Sequence, residues 1–132
     1  MSTLKVNEIT DTSGGSSSLS VPGAAKAWVN FNGTGTVAIR DDLNVSSITD
    51  NANGDYTVNF TTAMSDTNYC VVGGMSANSS STNGNTFYSS TQISGPAYNS
   101  GYTTTSSIRM LSMDGSGTNI DAAHLNVVVF GD

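Results

Sequence analysis

The sequence predicts an all-β fold, an antiparallel β-sandwich of jelly-roll-like type with a short extended N-terminal arm, and three observations carry that expectation. First, straight-chain and leucine helix formers are scarce, with five Leu, one Glu, one Gln and two Lys, while Thr, Val, Ile and aromatic residues are plentiful. Second, the apolar residues fall in short clusters with strand-like alternation; Tyr56, Val58 and Phe60 alternate with Thr57 and Asn59. Third, Gly, Asn, Asp and Pro punctuate the chain often enough to leave about eight short strands.

Taken in order, Leu4 to Thr10 forms a short apolar ribbon followed by the polar tether Ser13-Gly14-Gly15-Ser16-Ser17-Ser18. A ribbon with no neighbouring strand in sequence gains too little from pairing to order alone, so it is expected to add to another surface. This divides the chain into an arm and tether, residues 1–20, and a body, residues 21–132. In the body, Ala27 to Phe31 puts Ala27, Val29 and Phe31 on one face and Trp28 and Asn30 on the other. The turn Asn32-Gly33-Thr34-Gly35 leads to a second strand over Thr36 to Arg40, closing a hairpin.

Strands over Val45 to Thr49 and Tyr56 to Phe60 flank a loop centred on Asn53-Gly54, where positive φ has little steric cost. The apolar run Tyr69 to Val72 reads as a central strand covered on both faces, with Cys70 buried as a small hydrophobe. Residues 73–119 read mainly as surface, with shorter strands over Thr86 to Ser89 and Thr103 to Met110, Ile108 and Met110 pointing inward. Asp114-Gly115-Ser116-Gly117 turns the chain, and His124 to Phe130 returns as a buried strand.

Composition narrows function. Fourteen of 132 residues are charged, 52 are Ser, Thr or Asn, and the net charge is −6. Such a surface is neutral, rich in hydroxyls and amides, and repels nucleic-acid phosphates and anionic lipids, so neither nucleic acid nor membrane insertion is expected. No apolar run resembles a secretory leader or a membrane span, and one cysteine cannot form an intramolecular disulfide. Synthesis and assembly in a cytosol follow as the expectation.

No catalytic constellation stands out. His124 has only Asp121 near it in sequence, and 21 Ser residues make a Ser–His match uninformative. One Cys and one His do not suit zinc. The run Asp50 to Asp55 imitates a calcium loop, but Thr49 stands where the first acid belongs, so a hairpin turn is expected. No enzyme activity, cofactor or metal is expected. The residues that could bind are Tyr88, Tyr98 and Tyr102 with Asn99, aromatic rings among small polar side chains, a mixture suited to neutral sugars or protein patches. The competing expectation is that these rings pack under their own loops.

Ala25 to Asp41 (AKAWVNFNGTGTVAIRD), Asn44 to Phe60 (NVSSITDNANGDYTVNF) and Thr61 to Val72 (TTAMSDTNYCVV) resemble the tail-fibre and related virion structural proteins of tailed phages, particularly those of aquatic bacteria and cyanobacteria. Ser2 to Gly14 resembles their N-terminal attachment segment and Val127 to Asp132 their C-terminal strand. Asp42-Leu43 departs from the small polar residue and aromatic often found there, and residues 73–119 match no pattern of the family. The resemblance implies a trimeric or otherwise multimeric β-structured virion component, a homotrimer being the first expectation. Leu4, Val6 and Ile9 would attach it to another virion protein of tail or capsid, and Tyr88, Tyr98, Asn99 and Tyr102 would face a host-surface glycan or protein. The alternative is a capsid decoration or head-fibre protein without receptor specificity, which the absence of an extended shaft in 132 residues favours.

Overall fold

The computed structural model describes residues 24–76, 85–89, 102–114 and 116–131. The expected arm, residues 1–20, lies outside them. Eight strands run in chain order: β1 (Ala25–Asn32), β2 (Ala38–Leu43), β3 (Val45–Ala52), β4 (Asp55–Phe60), β5 (Cys70–Met75), β6 (Asn85–Ser89), β7 (Ser107–Asp114) and β8 (Leu125–Phe130). They form two antiparallel sheets with strand orders β2-β1-β8-β5 and β3-β4-β7-β6, an all-β sandwich as the sequence predicts. The last strand lies beside the first, and each sheet also keeps one local hairpin, β1–β2 or β3–β4.

Period-two alternation decides what each sheet buries. Ala27, Val29 and Phe31 of β1 and Leu125, Val127 and Val129 of β8 face Tyr56, Val58 and Phe60 of β4 and Ile108, Met110 and Ser112 of β7. All are buried, and the rings of Phe31 and Tyr56 meet edge to face at 5.3 Å.

Three expectations need correction. The second strand begins at Ala38 and runs to Leu43, later than Thr36 to Arg40. Its register slips beside Asn30, so Asp41 and Asp42 stay paired with β1 while Asp42 Oδ2 accepts the amide of Val45. The run Tyr69 to Val72 is not a central strand: β5 is the edge of its sheet, Cys70 is exposed and only Tyr69, ahead of the strand, is buried. An apolar run reads the same whether a core or an outside partner covers its second face, which is why sequence misplaced it. Within residues 73–119, read mainly as surface, the short strand expected over Thr103 to Met110 is the interior strand β7, Ser107–Asp114: Ile108 and Met110 point inward as expected, and Ser112 is buried with them.

The corner between the sheets rests on Asn44, whose φ of 57° lies in the left-handed region that Asn tolerates better than most residues. Its amide donates to the carbonyls of Lys26 and Thr62, and its Oδ1 accepts the amide of Thr62 at 2.7 Å. One side chain thus ties β1 to the segment leaving β4.

At the opposite end, the β3–β4 turn docks into the second half of the chain. Gly54 has φ 65°, donates to Asp121 Oδ1 at 2.7 Å and accepts the amide of Ser112 at 2.8 Å. The buried Ser112 hydroxyl donates to the Ile120 carbonyl at 2.6 Å. The Tyr56 hydroxyl reaches Asp121 at 2.6 Å and the Gly33 carbonyl at 2.9 Å, so polar groups closed off from water are satisfied by partners distant in sequence.

Candidate interaction surfaces

The sandwich has two outer faces of opposite character. On the β3-β4-β7-β6 sheet the outward residues of β3 and β4 are hydroxyls and amides, Ser47, Thr49, Asn51, Thr57 and Asn59, while the alternate positions of β7 are Ser107, Arg109, Leu111 and Met113. Asn59 Nδ2 donates to Ser47 Oγ and Thr49 Oγ1, and Asn51 Nδ2 to Thr57 Oγ1 and Asp55 Oδ1. Arg109, opposite Thr57, grips Asp55 at two points along one edge of its guanidinium, Nε to Oδ1 at 2.7 Å and a terminal nitrogen to Oδ2. The carboxylate raises the guanidinium above its usual range, against the opposing effect of partial burial. On β3 and β4 neutral side chains bonded to one another offer donors and acceptors, and the Asp55–Arg109 pair beside them carries no net charge, which suits neutral polar ligands.

Tyr102, expected as an exposed loop ring, is half-buried: the Arg109 guanidinium carbon lies 4.5 Å from its ring centroid. Tyr88 falls on β6, opposite Leu111 of β7. Tyr98 and Asn99 lie outside the described residues, as do Leu4, Val6 and Ile9.

The outer face of the β2-β1-β8-β5 sheet is different. Pairing aligns Leu43 with Trp28, Trp28 with Val128, and Val128 with Val72, giving one apolar row across all four strands. Leu43 is 46% and Val72 54% exposed, the large exposed hydrophobics among the described residues. The row toward the end of β8 holds Phe130 beside the exposed Cys70. On the other side Asn30 donates its amide to Asn126 and accepts from Arg40. Sequence reasoning missed this row because alternation identified only the buried face of β1; the signal was the large apolar residues at outward positions of several strands.

His124 is exposed; its carbonyl accepts the amide of Ser76 and its amide donates to the Ser76 hydroxyl, while Asp121 turns toward Gly54 and Tyr56. Burial, with the hydrogen bond and charge of Asp121 behind it, pushes the Tyr56 hydroxyl far above the usual phenol range. Tyr69, also buried, is pushed up to about 12, against the lowering effect of its bond to the Thr104 carbonyl. Both are structural phenols. Among the described residues no group of three His, Cys, Asp or Glu could hold a metal ion, and no helix is long and apolar enough to cross a membrane. No protein-family model, curated protein or solved structure matches the chain.

Proposed function

We propose that the chain is a non-enzymatic structural protein of a tailed-phage virion, a tail-fibre or receptor-binding component. It attaches to the particle by its N-terminal arm, assembles as a multimer and contacts a host-surface glycan or protein through polar, Tyr-containing segments. The resemblance of Ala25 to Val72 and of both chain ends to such proteins supplies the class. The observation that carries the contact side is the pairing of β6 with β7. It joins the strand bearing Tyr88 to β7 and, through β7, to β4 and β3, whose outward side chains are hydroxyls and amides. Arrayed copies of such a neutral surface gain affinity by repetition rather than by charge.

Immunogold labelling of intact particles with an antibody raised against the body tests the reading. Label at the tail is expected. Label on the shell selects the decoration or head-fibre alternative, and particles free of the protein reject a virion role. Deleting residues 1–12 should leave a folded body that no longer joins the particle, and retained incorporation would reject attachment through Leu4, Val6 and Ile9.

A further inference from the structure

We infer that the outer face of the β2-β1-β8-β5 sheet is covered by a second copy of this chain, with the row Leu43, Trp28, Val128 and Val72 at the centre of the contact. This deepens the multimeric reading above by naming the face that joins the copies. An isolated exposed leucine is ordinary, but four large apolar side chains in one cross-strand row are a contiguous patch, and such patches mark interaction sites. The row's composition points to protein. A sugar platform sets an aromatic ring beside hydrogen-bonding groups, whereas Trp28 is flanked along its row by Leu43 and Val128.

Charge decides for a second copy. Each chain carries −6, so two copies repel across most approaches. Asp50, Asp55, Asp66, Asp114 and Asp121 all lie on the other sheet or in the connecting segments. On this sheet β1, β8 and β5 present no acid; β2 carries Asp41 and Asp42, of which Asp42 lies opposite the inward Val29 and accepts the amide of Val45, and the cations Lys26 and Arg40 belong to β1 and β2. Across β1, β8 and β5, therefore, copies of an acidic chain meet with the least anionic repulsion. Four strands of about six residues span roughly 20 Å by 20 Å. That footprint is about half of what a stable interface buries per partner, so the contact is reversible and depends on concentration.

The face carries its own reporters, since Trp28 and Cys70 are the sole tryptophan and the sole cysteine of the chain. Sedimentation of the full chain from about 5 to 500 µM, the range where reversible contacts of this size titrate, should show association. Over the same range Trp28 emission should shift to the blue and the reaction of Cys70 with a thiol reagent should slow. Val72→Asp and Leu43→Asp alter side chains already half in water, so both variants should melt like the parent yet associate at least tenfold more weakly. A parent that stays monomeric with unchanged Trp28 emission and Cys70 reactivity would overturn the inference and leave the face to a different partner. Association that survives both substitutions would overturn it too, while leaving the virion reading intact.

Discussion

The Tyr56 hydroxyl lies 2.6 Å from the Asp121 carboxylate, and the same oxygen of Asp121 accepts the amide of Gly54 at 2.7 Å. One carboxylate thus closes both the β3–β4 turn and the phenol at the centre of the core. Removing it leaves the Gly54 amide without its acceptor, at about 1–3 kcal/mol for an unsatisfied buried donor, and leaves the Tyr56 hydroxyl to the Gly33 carbonyl, with one bond of about 1 kcal/mol lost. Asp121→Ala is therefore expected to cost about 2–4 kcal/mol in urea unfolding. Tyr56→Phe keeps the ring packing against Phe31 and should cost about 1–2 kcal/mol. The double variant should fall short of the sum, because the two changes remove one shared bond.

Gly54 answers to two constraints at once. Its φ of 65° already disfavours a side chain, and a Cβ there would meet the Ser112 carbonyl oxygen at 2.5 Å and the Ile120 amide nitrogen at 2.6 Å. Backbone on both sides cannot step aside as a flexible side chain could. Gly54→Ala should cost more than about 3 kcal/mol, beyond the 1–2 kcal/mol of left-handed strain alone. Gly35→Ala is the control: its φ is 63° but nothing lies within 4 Å of the added atom. Its cost should stay near the strain value, and equal losses at the two sites would show that the docking of the turn contributes nothing.

What the sequence made legible is what local periodicity encodes. The alternation of Tyr56, Val58 and Phe60 and of Ala27, Val29 and Phe31 places those strands and their buried faces correctly, because each residue's burial follows from its neighbours two positions away. Sheet order is not local. Tyr69 to Val72 reads as a strand covered on both faces, but β5 is an edge, since the hydrophobicity of a short run does not record where its strand stands in the sheet. The Tyr56–Asp121 contact spans 65 residues and leaves no motif. Tyr102 shows the same limit: an aromatic between polar neighbours looks free until Arg109, seven positions on, folds over it.

The Asp55–Arg109 pair should respond asymmetrically to truncation. The Asp55 side chain is 9% exposed and that of Arg109 33%. Arg109→Ala leaves a nearly buried carboxylate with Asn51 as its remaining side-chain donor and also uncovers Tyr102, so a loss of about 2–3 kcal/mol is expected. Asp55→Ala frees a guanidinium that can turn to water, and about 1 kcal/mol should suffice. Thermal or urea unfolding of the two variants checks the order, and a larger loss for Asp55→Ala would mean that the carboxylate serves the backbone rather than the arginine.

Stability should fall on the alkaline side, and two phenols set the window. Tyr69 titrates at about 12 in the folded chain and Tyr56 higher still, both held neutral chiefly by burial, whereas an unfolded tyrosine titrates near 10. Below pH of about 10 both states keep their phenolic protons and these groups add no pH dependence. Above it the unfolded chain releases protons that the folded chain retains, so the balance shifts toward unfolding until the folded phenols ionise as well. Urea unfolding between pH 8 and 11.5 should therefore show a plateau followed by a decline. Tyr69→Phe should start lower, having lost its bonds to the Thr104 and Ser107 carbonyls, but decline less steeply because one of the two proton-linked groups is gone. A variant that declines as steeply as the parent would show that the Tyr69 hydroxyl is already open to water in the folded protein.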